Sequence, residues 1–337
     1  MAHRPDVLVI GAGVTGLTTA VQLAELGCQV LVRSSAPPLQ TTSAVAGAIL
    51  GGPVIAEPAE AAAKWEQLER VTEWHRHSLG VFTELAADPS TGVRLARGRL
   101  ANRNDLGALD WARQLPGFRI CSPDERGGFP TAFWMDLPLV DMLRYLDYLV
   151  GRLAAAGGRI EYRTVASLAE SAAEAPVLVN CTGVAARELA ADPQVFPLRG
   201  QHVVVDNPGL DEFFFEQNPG PESVSFFPHG DRVILGGTNG KDDWSLRPDP
   251  AQTEAILRRC AAIEPRLAGA RIRAVEVGLR AARPQIRVEA QAVAGSRVIH
   301  NYGHGGIAVA LSWGCAREVA QLVGAAQRVP DVVRSLS

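Results

Sequence analysis

Three glycines near the start of the chain have the spacing that dinucleotide binding requires. They occur in Asp6-Val-Leu-Val-Ile-Gly11-Ala-Gly13-Val-Thr-Gly16, directly after a continuous apolar run. Gly11 permits a sharp turn out of a strand, Gly13 lets the backbone approach a pyrophosphate, and Gly16 permits close packing of helix and strand. The free N–H groups at the start of the following helix then face the anion. The spacing therefore predicts a dinucleotide cofactor.

The residues around these glycines have the periodicity of a strand–turn–helix–strand unit. Val7–Ile10 is typical of a buried parallel strand, and Gln29-Val-Leu-Val predicts the next one. Between them, apolar residues recur with helical spacing at Leu17, Ala20, Val21 and Ala24. Gly27 follows as the glycine that ends the helix. The glycine motif thus has the structural context that it needs.

Composition and charge narrow the class of protein. With 337 residues, 47% apolar and 20% charged, the chain is long enough for about two domains and too apolar for disorder. The formal net charge of -3 gives no attraction to nucleic acid or to an anionic membrane, and no stretch reaches membrane-spanning length. Met1 stands close before the first strand, so we expect no signal peptide.

The cysteines and histidines give no sign of a metal site. The five cysteines are scattered, with no C-x-x-C pair, which is typical of buried thiols in a reducing compartment. We therefore expect a cytoplasmic protein without disulfides or zinc. His300 and His304 are separated by Asn-Tyr-Gly, a sequence unsuited to a helix that would align them as metal ligands.

The remaining sequence predicts βα elements followed by a β-rich region. Residues 60–85 have helical periodicity, whereas residues 90–135 are interrupted by glycine and proline and predict only short segments. An amphipathic helix is predicted from Leu139 to Leu153. Strands are predicted at Arg159–Tyr162, within Pro176–Gly183, and at His202–Val205, Ser223–Phe227, Arg232–Leu235 and Val298–His300. Further predictions are a helix after Asp249-Pro250, a turn over Tyr302–Gly306 and a last helix over Ile307–Val323.

Together these patterns predict an α/β protein with two domains. One is a Rossmann-type cofactor-binding domain, and the other is an α+β substrate domain with a mixed, largely antiparallel sheet. The first is expected over residues 1–53, 140–198 and 282–337, and the second over residues 54–139 and 199–281. The substrate domain would thus be inserted into the cofactor-binding domain in two pieces.

Four parts of the chain resemble the D-amino-acid oxidase family. They are Val9-Ile-Gly-Ala-Gly-Val-Thr-Gly16 with Thr41-Thr-Ser-Ala-Val-Ala-Gly47, Val179-Asn-Cys-Thr-Gly183 with Arg199-Gly-Gln201, Gly278-Leu-Arg280-Ala-Ala-Arg283-Pro-Gln-Ile-Arg287, and His300-Asn-Tyr-Gly-His-Gly-Gly306 leading to Trp313-Gly-Cys315. The resemblance implies FAD as cofactor, with an amino acid and O2 as substrates. The implied reaction is oxidative deamination to a 2-oxo acid, ammonia and H2O2, with hydride transfer from the α-carbon to flavin N5.

The resemblance also implies site residues. FAD would be bound by Gly11, Gly13, Val14, Thr15, Gly16, Arg33, Ser34, Thr41, Thr42, Ser43, Ala46, Gly47, Val165, Thr182, Gly183, Gly305, Ala308, Val309 and Ala310. Arg280 would clamp the substrate carboxylate, since a guanidinium fork matches two carboxylate oxygens. The carbonyl of Gly306 would accept a hydrogen bond from the substrate amine.

The chain departs from the family pattern at the cofactor. Ser34, with Arg33 before it, stands where an acidic residue usually holds ribose hydroxyls. An arginine there could suit the 2′-phosphate of NADP, but nothing else in the chain predicts a nicotinamide site. The absence of an acidic residue at position 34 also motivates another hypothesis, a nucleotide-binding protein without oxidase activity.

The second departure is in the substrate pocket. The family has tyrosines that bind the substrate carboxylate, whereas Glu216–Pro228 contains none, and Ser225 falls where the nearer phenol would be. Ala48 and Leu50, with Phe226 or Phe227, predict a roomy apolar pocket. An oxidase of glycine, of sarcosine or of a tailored biosynthetic amine therefore remains an alternative. Whether the chain forms a homodimer is left open.

Overall fold

A computed structural model describes residues 4–51, 61–103, 110–217 and 222–324, without the side chains of residues 61–67, 110 and 111. The strands are Val7–Ile10 (β1), Val30–Ser34 (β2), Val93–Asn102 (β3), Arg119–Ile120 (β4), Thr131–Val140 (β5), Arg159–Tyr162 (β6), Val177–Asn180 (β7), Phe196–Asp206 (β8), Phe213–Glu216 (β9), Glu222–His229 (β10), Arg232–Thr238 (β11), Gly240–Lys241 (β12), Ile272–Val293 (β13) and Ser296–His304 (β14). The helices are Val14–Glu25 (α1), Ala61–Leu85 (α2), Asp110–Arg113 (α3), Met142–Ala155 (α4), Leu168–Ser171 (α5), Ala186–Leu189 (α6), Pro250–Ile263 (α7) and Ala308–Val323 (α8).

Parallel strands form the part of the sheet that follows the glycine motif. β1 pairs in parallel with β2 and β7, β2 pairs with β6, and β7 pairs with β14. All residues of β1 and β2 are buried, as their continuous apolar runs require. α1 packs against α4 and α8 over one face of these strands. The Rossmann-type prediction is confirmed.

Antiparallel strands form the other part. β8 lies between β11 and β13, and β10 pairs with β9 and β11. β3 pairs antiparallel with β5 and parallel with β9. α7 contacts β8, β10 and β11, and Asp249 caps its start by accepting hydrogen bonds from the N–H groups of Ala251 and Gln252. The predicted mixed, largely antiparallel sheet is therefore present.

β13 connects the two parts of the sheet. Over Ile272–Ala282 it pairs with β8, and over Arg287–Val293 it pairs with β14, with a bulge between the two stretches. Because β14 pairs in turn with β7, the strands form one continuous sheet within the described residues. β8 and β13 run across residues 198 and 281, where the sequence places domain boundaries.

Several sequence predictions of local structure were wrong. Residues 93–102 and 131–140 form two long paired strands rather than short segments, and Leu139 lies in β5, so α4 begins only at Met142. The local pattern could not reveal this pairing because the β3 and β5 partners are far apart in sequence. Residues 218–221, within the Glu216–Pro228 segment, lie outside the described residues. In the described part of the chain, no helix has the length and apolarity needed to span a bilayer.

Candidate active site

A cleft of about 1020 Å³ runs along the carboxyl ends of the parallel strands and onto β8 and β13. Open parallel sheets bind ligands at this edge. Of the predicted cofactor and substrate residues, the cleft is lined by Gly11, Gly13, Val14, Thr15, Arg33, Ser34, Thr41, Thr42, Ser43, Ala46, Val165, Thr182, Gly183, Arg280, Gly305, Gly306, Ala308 and Val309. We call the part around Gly11–Thr15 and Thr182 the nucleotide end, and the part formed by Gly200, His202, Arg280 and Gly306 the clamp end.

Main-chain groups and glycines form the nucleotide end. Gly11 has φ of +109°, and a Cβ there would lie 2.4 Å from the carbonyl oxygen of Cys181. α1 begins directly behind it, with Gly13 as the residue before its first turn and no acidic residue in that turn. The N–H of Val14 donates to Ser43 Oγ at 2.9 Å. Val14 and Thr15 of the first turn line the cleft, so the N-terminus of α1 faces it, as phosphate binding requires.

Arg33 borders the cleft, but its guanidinium is engaged elsewhere. Nη1 donates to Glu174 at 2.6 Å and Nη2 to Glu161 at 3.2 Å, and the Glu174 bond is the main cause of the raised pKa of Arg33. Ser34 Oγ donates to the carbonyl of Ala36 at 2.8 Å. Because two carboxylates already pair with Arg33, this cation does not support binding of a 2′-phosphate. The exposed residue at this strand end is Ser35, which the sequence analysis missed.

Some predicted residues do not line the cleft. Gly16 packs against β1, where a Cβ would lie 1.9 Å from the carbonyl oxygen of Gly11. Gly47 packs against the ring of Phe227, and Ala310 is buried in α8. Ser225 is buried in β10, and its hydroxyl lies 2.5 Å from the Cβ position of Gly236 on the neighbouring strand.

The side chains that were expected to form an apolar substrate pocket do not line the cleft either. Leu50, Phe226 and Phe227 are buried in hydrophobic cores, and Ala48 packs against the core that contains Leu50. Alternation along β10 places neighbouring phenylalanines on opposite faces, so each ring is buried in a different core. These side chains therefore pack the interior, and the expectation that they form the substrate pocket was wrong.

Arg280 provides a cation at the clamp end. Its guanidinium lies against Gly200, where a Cβ would be only 2.3 Å from Nη2. Nη1 donates to the carbonyl of Thr238 and to Asn239 Oδ1, both at 3.1 Å. Among the described residues no carboxylate pairs with it, and burial lowers its pKa. A guanidinium stays charged even so, which leaves a positioned cation available for an anionic ligand.

Gly306 lies beside this cation at the start of the last helix. The position of a Gly306 Cβ is 3.7 Å from Arg280 Cδ, so both residues face the same part of the cleft. α8 begins at Ala308 with no side-chain cap and no acidic residue in its first turn. Ala308 and Val309 line the cleft, so the positive end of the α8 dipole can stabilise negative charge there.

The structure adds polar residues that sequence reasoning missed. His202, Asn301 and His304 all line the cleft, and Asn301 Oδ1 and His304 Nε2 are buried without a hydrogen-bond partner. Burial lowers the pKa of His304 to about 4. The signal for His202 was available, because alternation along β8 places it on the same face as Gly200. Asn301 and His304 belong to the His300–Gly306 stretch that carries the family resemblance, but the sequence analysis gave them no role in the site.

Comparisons with known proteins agree with this geometry. Residues 6–322 match the family described as FAD dependent oxidoreductase (DAO). The chain belongs to this family. It is 46% identical over 326 residues to a D-amino-acid oxidase of Rubrobacter xylanophilus, covering 95% of this chain and 96% of the relative. It is 48% identical over 322 residues to a D-amino-acid oxidase of Streptomyces coelicolor, covering 94% and 96%.

A solved structure shows the same fold at greater distance. Glycine oxidase from Geobacillus kaustophilus superposes with a TM-score of 0.76 and 19% identity, over 96% of this chain and 95% of that one. At this identity the likeness concerns the fold alone.

The cleft fits the FAD that membership of the family implies. Its volume is at the upper end of ligand sites, about 300–1000 Å³, as a dinucleotide with a large ring system requires. The side-chain-free approach at Gly11 and Gly13 suits the pyrophosphate. The N-terminus of α8 suits the electron-rich edge of a reduced flavin.

Proposed function

We propose that this chain is an oxidase that deaminates a D-amino acid to the 2-oxo acid, with release of ammonia and H2O2. The observation that carries the proposal is the guanidinium of Arg280 beside Gly306 in the FAD cleft, which pairs with no carboxylate of the described residues. Nη1 donates to Thr238 and Asn239, so Nη2 and Nε are left to recognise a carboxylate, and a neighbouring carbonyl oxygen recognises an ammonium group. Both groups of a zwitterionic amino acid thereby find complementary partners.

The protein residues contribute position and electrostatics. Arg280 binds the carboxylate, and the carbonyl of Gly306 accepts a hydrogen bond from the amine. These two contacts fix which substituent of the α-carbon faces the flavin, which is what hydride transfer needs. When bound, FAD supplies the hydride acceptor and passes the electrons to O2. The predicted cofactor residues that line the cleft are proposed to hold it.

Two relatives with nearly half of their residues identical are named D-amino-acid oxidases, which supports a D-amino acid as substrate. A second candidate is oxidation of glycine or of a secondary amine such as sarcosine. It is favoured by the absence of tyrosine from the described part of the Glu216–Pro228 segment and by Ser225, which does not line the cleft. Both candidates use the same clamp and differ only in the substrate.

An anaerobic flavin-reduction screen tests the proposal. The purified yellow protein is mixed without O2 with D-, L- and N-methyl amino acids, and bleaching of the flavin absorbance is followed. We expect at least one D-amino acid to bleach it faster than its L-enantiomer does. Bleaching by glycine or sarcosine alone would favour the second candidate. A protein that no amino acid reduces would contradict both.

Three predictions from the sequence remain proposals. We propose the division into cofactor and substrate domains, a cytoplasmic location in keeping with five buried free cysteines, and homodimer formation as a property to be measured. Limited proteolysis, fractionation of cells and sedimentation analysis would test them.

A further inference from the structure

A histidine lies beside the carboxylate clamp. His202 and Gly200 are two residues apart on one face of β8, and the Arg280 guanidinium lies against Gly200. Alternate residues of a strand are about 7 Å apart. A small amino acid can bridge such a distance between its carboxylate and a side-chain heteroatom when a hydrogen bond of about 3 Å is added at each end. His202 is therefore within reach of the side chain of a substrate held by Arg280.

The hydrogen bond at one ring nitrogen determines what the other can do. His202 Nδ1 lies 2.9 Å from the carbonyl oxygen of Val45. Since a carbonyl only accepts, Nδ1 carries the hydrogen, and Nε2 of the neutral ring is an acceptor. Burial, aided by the charge of Arg280, lowers the pKa of His202 to about 4, so the ring is neutral at pH 7. Within the described residues, the ring makes its hydrogen bond to Val45, and Nε2 is left for a ligand in the cleft.

The strand on one side of His202 presents only backbone to the ring. A Cβ at Gly236 would lie 3.4 Å from Nε2, and one at Gly237 would lie 3.3 Å from it. Ser225 Oγ is 2.5 Å from the Gly236 Cβ position, and Glu276 is paired with His202 from the other neighbouring strand, β13. Of these three polar side chains only His202 lines the cleft, so its Nε2 is the acceptor that a ligand can meet there.

We infer that His202 sets substrate specificity, by accepting a hydrogen bond at Nε2 from a donor on the substrate side chain. The inference rests on the proposed function, because Arg280 must hold the α-carboxylate. The favoured substrates are D-amino acids with a carboxamide or hydroxyl side chain. A side-chain carboxylate would place its lone pairs against that of Nε2, and an apolar side chain would leave Nε2 unpaired.

D-asparagine and D-aspartate provide a matched pair of substrates, because they share their shape and differ in the donor. We measure kcat/KM of the FAD-loaded enzyme at pH 8 for both, and for D-alanine. Wild-type enzyme is expected to favour D-asparagine over D-aspartate by about tenfold or more. His202→Leu should lower the ratio of kcat/KM for D-asparagine to that for D-alanine by about tenfold. His202→Gln keeps an acceptor and should retain more of this ratio.

Glu276→Gln is the control, since Glu276 lies opposite His202 on β13 but outside the cleft lining. It should leave the D-asparagine to D-alanine ratio unchanged. Flavin absorbance and the melting temperature verify that each variant is folded. Equal losses for both substrates in His202→Leu, or a wild-type preference for D-aspartate, would overturn the inference while the proposed function stands. If no D-amino acid reduces the wild-type flavin, the proposed function fails first, whereas failure of D-asparagine while another D-amino acid reacts overturns the inference alone.

Discussion

The nucleotide end of the cleft is built from glycines and main-chain groups, whereas the clamp end is built from polar side chains held on paired strands. At Gly11 and Gly16 the essential property is the lack of a Cβ, and the contacts are with backbone nearby. At Arg280 and His202 the essential properties are charge and a fixed tautomer, and both depend on strand pairing between distant segments. One end thus depends on geometry that any side chain would disturb, and the other on particular side-chain chemistry.

The strongest test of the nucleotide end is Gly16→Ala. The new Cβ would lie 1.9 Å from the carbonyl oxygen of Gly11, so α1 must move away from β1. We expect loss of bound FAD and of most folded protein, measured as the ratio of flavin to polypeptide after purification. Gly27→Ala is the control, because no atom lies within 4 Å of its Cβ position and only the strain of a φ of +84° is added. Similar flavin content in both variants would contradict the close-packing argument.

The corresponding test of the clamp end is Arg280→Ala. Loss of a buried fork to a carboxylate should lower kcat/KM for D-alanine by about 100-fold or more, mainly through KM. FAD content should be retained, because the variant leaves the nucleotide end intact. Arg280→Lys keeps the charge without the fork, so its kcat/KM should lie between those of the wild type and of Arg280→Ala. Steady-state kinetics by O2 consumption decide the outcome, and an unchanged KM in Arg280→Ala would remove the clamp.

A pH titration tests the burial of the histidines on the antiparallel strands and on β14. Burial lowers the pKa of His202, His229, His300 and His304 to about 4. As pH falls through about 6.5, the unfolded chain takes up protons that the folded chain does not bind until about pH 4. The free energy of unfolding should therefore fall from pH 7 to pH 4, by about 2 kcal/mol for each such imidazole by pH 5. Urea unfolding measures this.

A variant separates this effect from general acid sensitivity. His304→Gln removes one buried imidazole, so its stability should decline less steeply over the same pH range than that of the wild type. Parallel curves for the two proteins would show that His304 is not the buried neutral group described.

The smallest effect of a substitution is expected far from both ends of the cleft, in the turn between β13 and β14. Ala294 has φ of +47° and is followed by Gly295 with φ of +80°, a conformation that favours Asn-Gly. Ala294→Asn should stabilise the protein by about 0.5–1 kcal/mol without changing kcat/KM, and Ala294→Val should destabilise it. Thermal unfolding measures both. A loss of activity in Ala294→Asn would show that the hairpin is coupled to the cleft.

Sequence reasoning succeeded where a function is encoded by neighbouring residues. The Gly11–Gly16 spacing, the apolar runs of β1 and β2 and the Asp249 cap are local, and each has the predicted structure. It failed for β3 and β5, whose pairing joins distant segments. At the clamp end, the resemblance located Arg280, but only the strand register showed that Gly200 makes room for its guanidinium and brings His202 beside it.

The continuity of β13 limits how the molecule can open. Two lobes joined by flexible linkers can rotate apart to admit a ligand, but here one strand is hydrogen-bonded at one end to β8 and at the other to β14. A rotation between the halves would have to bend β13 at the bulge between Ala282 and Arg287 or break one of these ladders. We therefore expect substrate entry by local rearrangement at the rim of the cleft, and thermal unfolding of the two halves as one cooperative transition.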